Sequence, residues 1–146
     1  KKIVDEFHDV SLLVPMHKNP IVREPLKKIL AGNPRIFLTE PLSYEKLVSV
    51  MKSCTIIISD SGGIQEEAPT FGKPVLILRE NTERIEVIDH GVAKLVGTDQ
   101  ENIYQEAKIL LTNTLEYDSM SRKTNPYGDG NASNKILETC CEFLKI

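Results

Sequence analysis

An apolar run that leads into two glycines is the feature of this 146-residue sequence that most directly predicts chemistry. The strand-like residues 56–58 are followed by Ser59-Asp60-Ser61-Gly62-Gly63, and a helix-like segment continues from Ile64. Glycines carry no Cβ, so a phosphate can approach the backbone there, and the helix dipole favours its negative charge. Ser61 can donate a hydroxyl to such a phosphate. One helical turn further on, Glu67 can accept hydrogen bonds from vicinal hydroxyls such as those of a ribose.

The same junction has a purely structural interpretation. An Asp-Ser pair before a helix is a common N-cap, and glycines also allow a helix and a strand to pack closely. The sequence contains no G-x-G-x-x-G, which would be a more specific signal for a dinucleotide. Taken alone, residues 59–67 therefore leave the phosphate site and the ordinary cap both open.

Composition bounds the class of protein. A length of 146 residues with 40% hydrophobic residues favours one domain with a real core. The net charge of −3 argues against a nucleic-acid binder that acts through its field, and no apolar run approaches a membrane span. Three cysteines, two of them adjacent, fit a reducing cytosol better than a disulfide framework. No Cys/His cluster has zinc spacing. The sequence opens without Met in mid-pattern, so we expect a piece of a longer protein.

Short apolar runs alternate with amphipathic segments and predict the elements that position the glycine turn. The apolar runs lack strict alternation, as in parallel strands covered on both faces, and lie at residues 10–14, 35–38, 55–59, 74–78 and 94–97. Helices are predicted around Lys1, after Pro20, after Ser43, after Asp99 and from about Ala132 to Leu144, the last with an apolar face of Ile136, Leu137, Cys140 and Leu144. This order predicts an α/β fold with a doubly wound, Rossmann-like parallel sheet.

Five short motifs follow one another along the chain. They are Pro15-Met16-His17-Lys18-Asn19-Pro20 with Val22-Arg23-Glu24, Glu40-Pro41-Leu42-Ser43-Tyr44, Asp60-Ser61-Gly62-Gly63-Ile64-Gln65-Glu66-Glu67-Ala68-Pro69 with Gly72-Lys73-Pro74, Thr82-Glu83-Arg84, and Asn125-Pro126-Tyr127-Gly128-Asp129-Gly130. In this order they resemble the C-terminal half of the non-hydrolysing UDP-N-acetylglucosamine 2-epimerases. The motifs cover nearly the whole chain, which makes the resemblance more specific than a likeness of fold.

The resemblance implies a two-domain enzyme of the GT-B type, with a UDP-sugar in the cleft between two Rossmann-like domains. Residues 1–146 are similar to its second domain, which holds most of the UDP. Matching positions imply that Ser61, Gly62 and Gly63 bind the pyrophosphate and that Glu67 binds the ribose. They also imply that Arg84 faces the diphosphate and stabilises it as a leaving group.

The remaining matches concern the base and an effector. Leu42 and Leu47 match positions beside the uracil, and Leu42 stands where some members have Gln, so contact there would come from the backbone. His17 matches a second nucleotide-sugar site that activates the bacterial enzyme, although a histidine past a strand is often an ordinary loop residue. Ile85 replaces the usual Pro after T-E-R. Without the family match, Arg84 among acidic neighbours would be read as a solvated surface arginine.

The resembling enzymes interconvert UDP-GlcNAc and UDP-ManNAc. UDP leaves by anti elimination to give 2-acetamidoglucal, then adds back with the configuration at C2 inverted. This chemistry needs a base at C2 and a clamp for the departing diphosphate. We expect this chain to supply the clamp alone, because the family's catalytic carboxylates and its H-R-R-E motif lie upstream and no H-R-R-E occurs in this sequence.

The resemblance also implies partners and location. We expect UDP-GlcNAc or UDP-ManNAc as ligand, contact with the enzyme's own N-terminal domain, a homodimer of the full-length protein and a cytoplasmic location, with no cofactor, metal, nucleic acid or membrane. Two alternatives remain open from the residues. One is the UDP-sugar-binding domain of a GT-B glycosyltransferase, and the other is a non-catalytic UDP-sugar sensor.

Overall fold

Parallel strands alternate with helices along the chain, as the apolar runs predict. The computed structural model describes residues 1–121 and 124–145. The strands are β1 Leu12–Pro15, β2 Ile36–Thr39, β3 Ile57–Ser59, β4 Val75–Ile77 and β5 Ala93–Leu95. The helices are α1 Lys2–Glu6, α2 Pro20–Leu30, α3 Tyr44–Ser53, α4 Gly62–Glu67, α5 Ile85–Asp89, α6 Gln100–Thr112, α7 Thr114–Ser121 and α8 Ala132–Leu144, with a 3₁₀ turn, Ala68–Phe71, after α4.

The strands pair in two parallel groups. β1 pairs with β2, with Leu13 opposite Phe37, and β4 lies between β3 and β5, with Leu76 opposite Ile58 and Lys94. Because every recorded pair is parallel, the carboxyl ends within each group meet at one edge, where ligands of such sheets bind. The predicted Rossmann-like α/β fold is confirmed.

β4 shows why the sheet is covered on both faces. All three of its residues are fully buried. Val75 and Ile77 pack in a cluster with Met51 of α3 and Val87 of α5. Leu76 points to the opposite face, into a cluster that contains residues of α6. Because neighbouring residues of a strand face opposite sides, a continuous apolar run is what two helical layers require.

A third cluster and one arginine attach α1 to the β1–β2 pair. Val4 is 1% exposed and packs with Leu30 and Ile36. The Arg35 guanidinium donates to the carbonyls of Val4, Phe7 and Val10, the last at 2.9 Å. These carbonyls lie in the end of α1 and the turn after it, where the helix itself supplies no donors. Arg35 therefore ties the end of α1 to the start of β2.

The helix starts agree with the sequence in place, and in part in chemistry. Asp99 caps α6 as predicted, accepting from the Asn102 N–H at 2.8 Å. Ser43 stands at the predicted N-cap of α3, but its hydroxyl makes no capping bond to that helix. α7 was not predicted. Its start is marked by Asn113, whose side chain accepts from the N–H groups of Leu115 and Glu116.

The last helix forms where it is predicted, but its apolar face is not covered. Ile136 and Leu137 remain 64% and 63% exposed, and no residue of α8 is buried. Sequence periodicity therefore identified the helix correctly and left open what covers it. Among the described residues, no helix combines the length and apolarity needed to cross a bilayer.

Candidate functional site

The predicted glycine turn lies at the carboxyl end of β3. The Ser61 N–H donates to the Ser59 hydroxyl at 3.1 Å, which turns the chain out of the strand. Ser61 is the N-cap of α4 by its backbone, yet its hydroxyl makes no capping bond. Gly62 and Gly63 are the first two residues of α4, so their N–H groups have no partner within the helix. The turn therefore presents a hydroxyl and backbone N–H donors at the carboxyl edge of the sheet.

Glu67 ends α4 and keeps an acceptor available. The Glu67 carboxylate lies beside the Tyr44 hydroxyl at the start of α3, and it raises the pKa of Tyr44 first through hydrogen bonding and then through its charge. One Glu67 carboxylate oxygen, Oε2, is buried and has no hydrogen-bond partner within residues 1–121 and 124–145. A buried carboxylate oxygen without a donor is costly, so a ligand hydroxyl would relieve it. Tyr44 was not selected from the sequence, although it lies in the second motif.

Arg84 reaches back from the start of α5 to α4. Its Nε donates to Glu66 Oε1 at 2.9 Å, and its Nη1 donates to Glu83. The hydrogen bond to Glu66 is the largest cause that raises the Arg84 pKa, so the guanidinium stays charged. The side chain is only 25% exposed. Arg84 is therefore a held, partly buried arginine and not one that extends freely into solvent.

Gly62 and Arg84 are in direct contact. A Cβ placed on Gly62 would lie 2.7 Å from Arg84 Cζ and 2.9 Å from Nη2, whereas a Cβ on Gly63 would meet nothing within 4 Å. The missing side chain at residue 62 thus makes room for the guanidinium. The sequence-based interpretation assigned both glycines to the approach of a phosphate, and the structure adds this second reason for the first of them.

The two glycines give a matched pair of substitutions. Gly63→Ala should raise the free energy of unfolding by about 0.5 kcal/mol, because alanine restricts the unfolded chain and fits the helix. Gly62→Ala should displace Arg84 and lose that gain, leaving the protein about 0.5–1.5 kcal/mol less stable than Gly63→Ala. Urea denaturation of both variants measures the difference. Equal stabilities would show that Arg84 leaves Gly62 at no cost.

Two polar residues not selected from the sequence hold the main chain of the Arg84 loop. The Thr82 hydroxyl donates to Gln65 Oε1 at 2.7 Å and accepts from the Arg84 N–H at 3.2 Å. Gln65 is fully buried in α4. A glutamine on the inward face of a short helix is a signal that could have identified it, since buried amides need partners. We refer to Gln65, Glu66, Thr82, Glu83 and Arg84 as the Arg84 cluster.

The fifth sequence motif, residues 125–130, contacts α4, which carries part of this cluster, and α5, which follows it. The Asn125 side-chain amide donates to the Glu66 carbonyl at 3.0 Å and to the Thr70 hydroxyl at 2.6 Å. The Tyr127 hydroxyl donates to Glu86 on α5 at 3.2 Å. Asp129 accepts from the Asn131 N–H, and this bond is the largest cause that lowers the Asp129 pKa to about 2. The motif thus braces α4 and α5 and begins α8.

The other predicted site residues lie outside the Arg84 cluster. Leu42 lines an apolar depression of about 390 Å³ between β1 and α3, together with Leu13 and Val50. Leu47 is half-buried and packs against the core cluster of Met51. The predicted contact of Leu42 and Leu47 with uracil stays a prediction. Neither the glycines nor Arg84 line this depression, so it is separate from the residues that are predicted to bind the diphosphate.

His17 is exposed just after β1. Its Nδ1 accepts from the Asn19 N–H at 3.1 Å, so the neutral ring carries its proton on Nε2. Asn19 in turn caps α2 by accepting from the Ile21 N–H at 3.0 Å. The recorded hydrogen bonds of the described residues do not join His17 to the Arg84 cluster. Within residues 1–121 and 124–145, no three His, Cys, Asp or Glu side chains are grouped so as to hold a metal ion.

Known proteins match both the sequence and the structure. The profile of a family described as UDP-N-acetylglucosamine 2-epimerase matches residues 1–140. The protein of that name from Bacillus subtilis (strain 168) is 51% identical over 138 residues, covering 94% of this chain and 36% of that protein. The co-structure of S. aureus MnaA with UDP gives a TM-score of 0.92 at 47% identity, covering 99% of this chain and 40% of that one.

A second solved structure carries a nucleotide sugar. UDP-GlcNAc 2-epimerase from Neisseria meningitidis bound to UDP-GlcNAc gives a TM-score of 0.91 at 42% identity, covering 97% of this chain and 38% of that one. The chain therefore spans between 36% and 40% of the length of these three relatives.

Proposed function

The chain belongs to the UDP-N-acetylglucosamine 2-epimerase family, and we propose that it forms the UDP-binding domain of an enzyme that interconverts UDP-GlcNAc and UDP-ManNAc. The observation that carries this proposal is the Arg84 guanidinium held over Gly62, at the carboxyl edge of the sheet where ligands of such folds bind. The relatives that contain UDP or UDP-GlcNAc support the same class of ligand.

In this proposal each predicted residue has one role. Ser61, with the N–H groups of Gly62 and Gly63, binds the diphosphate, and Arg84 neutralises its charge. Glu67 accepts from the ribose hydroxyls through the oxygen that has no partner among the described residues. The backbone at Leu42 and the side chain of Leu47 contact the uracil.

The reaction places its greatest demand on Arg84. A base removes the C2 proton, the C2 electron pair forms a double bond to C1, and the C1–O bond breaks with its electrons on the departing UDP. Readdition of UDP reverses these steps with the proton delivered to the opposite face of C2. Negative charge on the diphosphate is greatest when the bond is broken, so preorganised N–H donors and a guanidinium stabilise that stage most. We place the base in an N-terminal domain that this chain contacts.

The proposal extends to the assembly and its regulation. The full-length enzyme is a homodimer in the cytoplasm, and His17 contributes to a second nucleotide-sugar site that activates it. The three cysteines, Cys54, Cys140 and Cys141, are free thiols, which suits a reducing compartment.

Activity of the full-length protein tests the proposal. Purified full-length protein in D₂O should convert UDP-GlcNAc to UDP-ManNAc and incorporate deuterium at C2, as followed by proton NMR. Residues 1–146 alone should bind UDP in calorimetry without epimerising the sugar. Turnover by residues 1–146 would place the base within this chain. UDP-GlcNAc binding without turnover by the full-length protein would favour a sensor.

Glu67 gives a separate prediction about the ribose. In the full-length enzyme, Glu67→Ala should weaken UDP binding by ~1–3 kcal/mol, the range for hydrogen bonds to a charged group. Calorimetry with UDP measures this loss, and the melting temperature should barely change. The matched control is Glu45→Ala, which removes an exposed carboxylate from α3 near its first turn. A large fall in stability with unchanged UDP affinity would make Glu67 a structural residue.

A further inference from the structure

The backbone of Arg84 does not by itself fix the orientation of its side chain. Arg84 is the N-cap of α5, with φ −99° and ψ 65°, and Ile85 occupies the first helical position. A proline there would lock its own φ, but an isoleucine does not. The Ile85 side chain is 60% exposed, so it packs little against the core. Contacts from elsewhere must therefore hold the arginine where it is found.

Two consecutive residues of α4 provide those contacts. Gln65 holds the main chain, since its Oε1 accepts from the Thr82 hydroxyl, which accepts from the Arg84 N–H. Glu66 holds the side chain, since its Oε1 accepts from Nε at 2.9 Å. Both contacts start on the helix that begins with Gly62 and Gly63. The position of the arginine relative to the two glycines is thus set by one helix, α4.

Gln65 is present at a cost. It is fully buried, and its Nε2 has no hydrogen-bond partner among the described residues. A buried donor without a partner is destabilising, and an aliphatic side chain would avoid that cost. The Gln65 amide oxygen accepts the hydrogen bond from the Thr82 hydroxyl, and an aliphatic side chain could not accept it.

Glu66 and Glu83 contact the guanidinium differently. Glu66 takes Nε, and its own carbonyl is held by Asn125 at 3.0 Å. Glu83 accepts a hydrogen bond from Arg84 Nη1, and the Glu83 side chain is 64% exposed. Nη2 lies over Gly62. A diphosphate can therefore replace the exposed Glu83 at the terminal nitrogens while Glu66 keeps hold of Nε.

We propose that Gln65 and Glu66 are positioning residues that fix the main chain and the guanidinium of Arg84 over Gly62, and that Glu83 is the counter-ion that the diphosphate displaces. This inference rests on the proposed function, in which Arg84 stabilises the leaving diphosphate. It adds that the orientation of Arg84 is set by α4 before the ligand arrives.

Glu66 is tested in the full-length enzyme with a conservative rescue. Glu66→Ala should lower kcat about 10–100-fold, the range for misplacing a catalytic group by about 1 Å. Glu66→Gln keeps an oxygen acceptor for Nε and should recover most of that loss. Affinity for uridine, which lacks phosphates, should stay unchanged in both variants. Parallel losses of uridine and UDP affinity, or a wild-type kcat for Glu66→Ala, would overturn the assignment.

A double-mutant cycle separates positioning from a general structural effect. In an Arg84→Ala background, Glu66→Ala should change kcat less than twofold, because the side chain that it positions is gone. An undiminished effect in that background would overturn the role of Glu66. Thr82→Val tests the Gln65 contact without altering the buried glutamine and should lower kcat, with recovery in Thr82→Ser. A Thr82→Val enzyme with wild-type kcat would overturn the role of Gln65.

An NMR measurement makes failure of this inference distinct from failure of the proposed function. The Arg84 Nε–H resonance, assigned by its loss in Arg84→Ala, should exchange slowly with solvent in the wild type and rapidly in Glu66→Ala. This readout needs no turnover. An inactive wild-type enzyme with a protected Nε–H would overturn the proposed function alone. An active enzyme with an unprotected Nε–H would overturn the positioning of Arg84 alone.

Discussion

Arg84→Ala in the full-length enzyme is expected to lower kcat by about 10–1000-fold, the range seen when one donor to a developing anion is removed. In the proposed reaction the charge on the diphosphate grows as the C1–O bond breaks, so we expect the guanidinium to contribute more to the transition state than to the bound substrate. The KM for UDP-GlcNAc should therefore change less than kcat. Steady-state kinetics of epimerisation measures both parameters.

Arg84→Lys distinguishes charge from geometry. Lysine keeps the positive charge but loses the planar fork that gives Nε to Glu66 and leaves two terminal nitrogens for other partners. We expect a kcat between those of Arg84→Ala and the wild type. An Arg84→Lys enzyme with wild-type kcat would show that charge alone suffices.

Arg79 offers a matched control in the same loop. Its Nη1 lies 3.4 Å from Glu83, and its side chain is 37% exposed. It shares the acidic surroundings of Arg84 and lacks the recorded contact with Gly62. Arg79→Ala should change kcat less than about threefold, since exposed ion pairs contribute little. If Arg79→Ala and Arg84→Ala reduce kcat equally, the loss reflects the charge of the loop and not a contact with the diphosphate.

Arg35→Met is expected to destabilise the protein by about 2–4 kcal/mol. The substitution leaves the carbonyls of Val4, Phe7 and Val10 without the guanidinium that bonds them, and partly buried acceptors left unpaired are costly. Methionine keeps the length and apolar character of the side chain, so the change removes donors more than packing. Urea denaturation should show the lower free energy of unfolding, with a melting temperature lower by roughly 5–15 °C.

Lys27→Met is the control for Arg35→Met. Lys27 pairs with Glu24 on the surface of α2 at 3.3 Å, and both side chains are largely exposed. Replacing this cation should change the free energy of unfolding by less than about 0.5 kcal/mol. If the two methionine variants are equally stable, α1 is held by its buried Val4 and not by Arg35.

Residues that act through local pattern could be predicted from the sequence. The five apolar runs correspond to the five strands, although the strand ends differ from the predicted ones by up to two residues in either direction. β4, for example, spans Val75–Ile77 within the predicted residues 74–78. Asp99 was identified as a helix cap because such a cap depends only on a residue a few positions away. α7 was missed because its sequence, Thr114–Ser121, lacks the apolar stripe that reveals a helix.

The order of five motifs also determined the family from sequence alone, together with the place of the glycine turn between β3 and α4. Only the tertiary structure decided how the site is built. Arg84 meets Gly62 and Glu66, Thr82 meets Gln65, and Arg35 meets the end of α1. These partners are separated by between 17 and 31 positions, as in Gln65–Thr82 and Val4–Arg35. A contact over such a separation depends on how parallel strands bring their ends to one edge, and neither propensity nor periodicity within a single element contains that information.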